Sequence, residues 1–190
     1  MDIAAIAKAH NQKAARQNWN QFCDPTLTFS QPRYDQLVAV WREKSAGRKM
    51  PRRSDLTPRD LKDYLRDLLL CNRISVNPSR YMWRLIGSTV AEILGNYTGK
   101  TFEESIPPQQ LERWIESSDM ILSSEIPWRM RGRVHVGGRD YLDAENLYLP
   151  LADDNDKPAF ILGLCRYTPH VSESAISWEN ELASIPGAIL

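Results

Sequence analysis

Residues 81–105 read YMWRLIGSTVAEILGNYTGKTFEES, and this stretch decides the fold. From Tyr81 to Ile86 the run is short and rich in aromatic and branched side chains, the composition of a strand. Gly87 ends it. Thr89 to Leu94 carries helical spacing, Gly95 and Gly99 break the chain again, and Phe102 to Ile106 forms another helical turn. A strand that passes at once into helices of one or two turns suits a small sheet roofed by short helices.

Upstream, LLLCNRIS joins this strand through a Val-Asn-Pro-Ser-Arg turn, which predicts a hairpin. Earlier still, a helix follows Ser30, with Pro32 near its start and Leu37, Val40 and Trp41 at helical spacing, and it ends near Ala46-Gly47. RKMPRRSDLTPRDLKDYLRD then reads as an extended basic segment entering a new helix. Thr57 is its N-cap, Pro58 its first residue and Asp60 the third. Leu61, Tyr64, Leu65 and Leu68 form its expected buried stripe. Downstream, a longer helix follows Pro107-Pro108 with Leu111, Trp114, Ile115, Ile121 and Leu122 facing inward. Three strands come next: WRMRGRVHV, RDYLDAENLYLPL and AFILGLCRYT. Gly137-Gly138 predicts a two-residue hairpin between the first two, and ADDNDKP a longer loop between the last two.

The expectation is an α+β fold. A five-stranded antiparallel sheet carries short helices and one long helix inserted after its second strand, preceded by a helical leader. Residues 1–30 read as a peripheral segment, helical around Ile3 to Trp19. Residues 31–67 form the leader, 68–168 the core and 169–190 a tail that is a helix or an irregular arm.

Composition narrows the function. The chain has 190 residues, a hydrophobic share of 42% and six tryptophans, enough for a packed core. Lys+Arg and Asp+Glu each number 24, so no global charge draws the chain to nucleic acid or an anionic membrane. Charge is uneven: residues 41–66 hold nine basic against four acidic side chains, and 139–190 three against nine. No apolar run is long enough for a signal peptide or a membrane span. Cys23, Cys71 and Cys165 are scattered without a CxxC spacing, which predicts a soluble protein of the reducing cytoplasm. The histidines His10, His135 and His170 lie far apart and suggest no metal site. The acidic loop at Asp153, Asp154 and Asp156 lacks the glycine and distal glutamate of a calcium loop. No HExxH, GxSxG, GxxxxGK or GxGxxG occurs, so the chain reads as a non-enzyme.

In this order and spacing the residues resemble a PAS domain, and in particular the short bacterial PAS_5 (DUF1457) family. Trp41, Gly47-Arg48, Met50-Pro51 and Arg53 with Asp55 look like that family's leader. Arg84-Leu85-Ile86-Gly87 looks like its strand motif, Gly95 and Thr98-Gly99 like the glycines that follow, and Leu149-Pro150-Leu151 like its late strand. The resemblance spans roughly residues 34–169. It implies a sensory protein that signals without catalysis, binding a small molecule, a protein partner or both. With no output domain in these 190 residues, the signal is expected to pass in trans. It also implies dimerisation through the leading helix and the outer sheet face, with Leu37, Val40 and Trp41 as the candidate homodimer contact; packing of that helix on its own domain is the competing reading. PAS haem sensors carry an axial histidine on the long helix, and 107–125 has none; light-sensing flavin PAS domains carry a reactive cysteine before it, and 98–105 has none. Neither cofactor is expected, and an unknown small ligand remains open.

Two patterns bear on a site. In WRMRGRVHV, Trp128, Met130, Gly132, Val134 and Val136 alternate with Arg129, Arg131, Arg133 and His135, so one face is core and the other a basic stripe. The stripe reads as a solvated surface sooner than as a nucleic-acid grip. A two-residue Gly137-Gly138 loop would pair Val134 with Tyr141, Gly132 with Asp143 and Met130 with Glu145. Asp143 and Glu145 then either face a polar ligand or an inward arginine such as Arg84, or are turned outward by a bulge. The candidate pocket is Leu111, Trp114, Ile115, Met130, Val134, Tyr141, Asp143 and Glu145. The alternative function is a ligand-free adaptor working as a homodimer.

Overall fold

A computed structural model describes residues 2–19, 21–134 and 141–170. Among these residues its centre is a six-stranded antiparallel sheet. The strands are β1 (Gln21–Asp24), β2 (Leu68–Val76), β3 (Ser79–Ile86), β4 (Trp128–Arg133), β5 (Leu142–Ala152) and β6 (Pro158–Pro169), in spatial order β1-β4-β5-β6-β2-β3. The α+β class is as the sequence predicts, but the strand count is corrected from five to six. The added strand, β1, comes from the segment expected at the periphery and pairs Phe22 with Arg131 and Asp24 with Arg129. At four residues it is too short to display an alternation.

Helices cover both faces. On one lie α1 (Ile3–Arg16), α4 (Ser88–Leu94), α5 (Phe102–Ser105) and α6 (Pro108–Ser124); on the other lie α2 (Pro32–Ser45) and α3 (Pro58–Leu61). A strand buried on both sides reads as a continuous apolar run instead of an alternation. LLLC in β2 is such a run: Leu69 and Cys71 enter the core under α6, while Leu68 and Leu70 enter the core under α2. In β5, Tyr148 faces α6, and Leu147, Leu149 and Leu151 face α2.

The leader therefore packs on its own domain. Leu37 is fully buried, and Trp41 buries its ring and donates its indole N–H to the Pro150 carbonyl at 2.8 Å. Leu37, Trp41 and the half-buried Val40 are consequently not an exposed surface for a second copy. The segment after α2 lies across the end of the β5–β6 hairpin. Ala152 donates its backbone N–H to the Pro51 carbonyl at 2.9 Å, and Arg52 clasps Asp156 at 2.8 and 2.7 Å. Arg48 binds Asp55, whose carboxylate also accepts the Arg52 backbone N–H, and Arg53 donates to the Leu56 carbonyl at 3.0 Å. The Arg53 and Asp55 motif thus braces the leader internally, while Pro51 and Arg52 hold it to the sheet. The Thr57 cap and Pro58 start occur as predicted, but the helix ends at Leu61 and a 3-10 turn, Leu65–Asp67, leads into β2. Leu65 is exposed as a result, and Leu68 belongs to the strand.

Gly87 sits where a side chain has no room: an added Cβ would lie 2.3 Å from the Leu65 carbonyl oxygen and 2.4 Å from that of Arg66. Gly95 and Gly99 adopt φ of +99° and +87°, the left-handed region that favours glycine. At β1, the Asn11 side chain donates to the Cys23 carbonyl at 3.0 Å and accepts the Cys23 N–H at 2.8 Å.

The β4–β5 register is corrected by one residue. Met130 pairs with Asn146, Arg131 with Glu145, Gly132 with Ala144 and Arg133 with Asp143, without a register shift. A one-residue slip exchanges the faces of a strand. Asp143 and Glu145 therefore do share a face with Leu147 and Leu149, but it is the face under α2. The Gly137-Gly138 turn, His135, Val136 and the expected tail after His170 lie outside the described residues.

Candidate functional site

The cavity between α6 and the sheet is built from α6 outward. Its most buried side chains are Arg113, Ser117, Ser118, Ile121, Leu122 and Ser124, while Leu111, Trp114 and Ile115 are only half-buried. The helix is rolled relative to the sequence reading because α1 and β1 pack along its flank. Lys13 of α1 bridges Glu112 and Glu116 at 3.0 and 2.9 Å, and Gln21 of β1 donates to the Ser117 hydroxyl at 3.1 Å. With a strand on that side, Arg113 and the two serines are enclosed.

An aromatic wall closes the cavity toward β3. The Trp83 and Phe102 rings lie 4.5 Å apart, and Trp114 meets Trp83 edge-on at 5.4 Å. Such pairs hold their orientation better than aliphatic side chains. Two adjoining lobes share Gln21, Arg113, Trp114, Met130 and Tyr148. One continues along Leu69, Cys71 and Ile121 with about 20 Å³ of room for the centre of a water molecule; the other continues along Val134, Asn146 and Tyr167 with about 50 Å³. One water needs roughly 10–15 Å³ on this measure, so the lobes hold a few waters or a molecule of a few heavy atoms.

Of the predicted pocket residues, Trp114, Met130 and Val134 line this cavity. Leu111 and Ile115 pack against the core without lining it. Tyr141 is exposed, and Asp143 and Glu145 stand on the opposite face. Arg84 is exposed too, so it is no inward partner for them. The sequence reading missed Arg113, Gln21, Asn146 and Tyr148. The signal available was a polar i, i+4 pair, Arg113 and Ser117, in register with Ile121 on an otherwise apolar stripe.

In the arginine stripe on the far face, Arg129 is neutralised, while Arg131 and Arg133 are half-buried. Arg129 is buried between Asp24 and Glu145, at 2.8 and 2.6 Å. Arg133 lies 3.9 Å from Asp143, which also meets the His170 ring at 2.9 Å. Phe29, Ser30, Arg129, Arg131, Glu145 and Arg166 border a shallow groove of about 380 Å³ there.

A family model described as a PAS domain (PAS_5) matches residues 29–166. The chain belongs to the PAS family. Among solved structures, this PAS protein is similar to a sensory box histidine kinase/response regulator from Burkholderia thailandensis, with 12% identity and a TM-score of 0.40 over 68% of this chain and 98% of that one. It is also similar to an RNA-binding light-oxygen-voltage receptor, with 16% identity and a TM-score of 0.39 over 70% of this chain and 38% of that one. No curated protein matches.

The family match begins after α1 and β1, so Gln21, and Trp19 whose carbonyl binds Arg113, join the PAS cavity from outside it. Neither lobe admits a flavin or a porphyrin without displacing Trp83, Phe102 and Trp114, so these residues do not fit either group. The Cys71 thiol beside the cavity is pushed up to about 12 by burial, as is that of Cys165. Both stay protonated at neutral pH and are poor nucleophiles. Among the described residues no His, Cys, Asp and Glu cluster could hold a metal, and no helix is long and apolar enough to cross a membrane.

Proposed function

We propose that this PAS protein is a non-catalytic sensor whose signal is a small molecule in the cavity under α6, reported to a protein partner in trans. The observation that carries the reading is the composition of that cavity. Rigid aromatic and aliphatic walls enclose a few convergent polar groups from Gln21, Arg113, Ser117 and Asn146, the pattern of ligand sites. Its placement supports a reporting role. The cavity is lined by α6 and by Gln21 of β1, and Lys13 ties α1 to α6, so a ligand that shifts α6 would move the N-terminal segment with it.

Native mass spectrometry of gently purified protein, compared with its denatured mass, tests the proposal. Excess mass that disappears on denaturation is the expected result, and its value limits the ligand. A clean apo mass together with no thermal response to any small molecule would overturn it. The small volume of the cavity favours a second reading, a ligand-free adaptor acting as a homodimer. That reading expects a dimer mass without adducts, through a surface other than the buried Leu37 and Trp41.

A further inference from the structure

Arg113 is 8% exposed and lines both lobes of the cavity. Its Nη1 donates to the Trp19 carbonyl at 3.1 Å and its Nη2 to the Gln110 side-chain oxygen at 3.3 Å. Its Nε–H has no hydrogen-bond partner, and no carboxylate forms an ion pair with it among the described residues. Arginine keeps its charge in proteins, and a buried charge is costly unless it is paired. Elsewhere this chain follows that rule: the equally buried Arg129 has two carboxylates around it. Arg113 alone of the two has only neutral oxygens.

Nε–H and the adjacent Nη2–H, whose bond to Gln110 is long, form the side-on donor pair that a carboxylate accepts with both oxygens. Trp114 and Met130 line both lobes with Arg113 and offer apolar contact, and Ser117 lines the smaller lobe with a hydroxyl. The volume excludes anything beyond a few heavy atoms. A single guanidinium with apolar neighbours suits a monoanion with a short hydrocarbon tail better than a phosphate, which asks for several donors.

We propose that Arg113 anchors a site for a small organic carboxylate in the cavity between α6 and the sheet, and that this anion is the signal the protein detects. The inference rests on the sensor reading above and specifies its ligand class. Affinity is limited by size: a ligand of about four heavy atoms binds no tighter than roughly tens of micromolar.

The test follows the Arg113 Nε–H resonance and the melting temperature of the wild-type protein. Titrations use sodium formate, acetate and propionate up to 10-millimolar order, with sodium chloride for ionic strength and acetamide as the neutral counterpart of acetate. Expected is a saturable shift of the Nε–H resonance and a raised melting temperature with at least one carboxylate, and none with acetamide or chloride. Arg113→Met should remove the response while folding at least as stably as wild type without ligand, because an uncompensated charge has gone. Should that variant not fold, the resonance of the unmodified protein still decides. Equal responses to acetate and acetamide, or a response kept in Arg113→Met, would sink the carboxylate while leaving a ligand cavity. No response to any probe, with an Nε–H exchanging rapidly with solvent, would mean that water satisfies Arg113. If native spectra are also clean, the sensor reading falls with it.

Discussion

Replacing Arg129 with methionine tests how much the buried charges on the α2 face hold the fold. Arg129 donates Nη1 to Asp24 at 2.8 Å, and Nε and Nη2 to Glu145 at 2.9 and 2.6 Å. All three side chains are nearly excluded from water, at 9%, 3% and 11% exposure. Methionine fills much the same volume, so packing changes little and the loss is electrostatic. Two carboxylates would then face each other with Thr26 and Ser30 as their remaining side-chain donors. Opposite charges about 4 Å apart attract by about 4 kcal/mol at an effective dielectric near 20. Removing one partner of a buried pair costs about 3–5 kcal/mol because the other is stranded. With a urea slope of about 2 kcal/mol per molar, the unfolding midpoint should fall by about 1.5–2.5 M at unchanged slope. The triple variant Arg129→Met, Asp24→Asn, Glu145→Gln should regain much of the loss. A midpoint shift worth less than about 1 kcal/mol would put the cluster among exposed ion pairs and refute the argument from burial.

Other changes probe other parts of the fold. Gly87→Ala forces the chain away from two backbone carbonyls and should lower stability by about 2 kcal/mol or more, read by thermal unfolding; a neutral outcome would contradict the close approach. Trp41→Phe strands the Pro150 carbonyl and should lose about 1–3 kcal/mol without changing the oligomeric state. Burial holds the His10 imidazole at about 4, against an ordinary value of 6.5, with Glu116 opposing the shift and Lys13 adding to it. The unfolded chain therefore takes up that proton at higher pH than the folded one. Stability should be fully present above 6.5 and decline as pH falls toward 4, by up to about 3 kcal/mol. His10→Leu should flatten that part of the profile, and an unchanged slope would assign it to carboxylates instead.

Much of the fold was legible because period and punctuation agree. Pro32, the Ala46-Gly47 stop, Thr57, Gly87 and the alternation in β4 each report local geometry through a local cause. What failed depended on information that no single segment holds. The β4–β5 register differs by one residue from the one a two-residue loop would set, and that slip places Asp143 and Glu145 on the other face. Leu37 and Trp41 look the same in sequence whether they cover their own sheet or another's. Arg113 was overlooked because an arginine beside apolar helix positions ordinarily extends to solvent. Here β1, itself too short to register, covers it.

The Asn11 amide has one more effect. Its paired bonds to the Cys23 N–H and carbonyl reproduce what a seventh strand would supply, using a single side chain. At the other margin, Trp83 of β3 exchanges backbone bonds with Gly99 and Lys100, at 2.8 and 3.0 Å. Exposed strand margins recruit other chains, and proteins that remain dispersed blunt them. Among the described residues both margins are occupied at their centres by the chain itself, which disfavours strand-to-strand growth between copies at those positions.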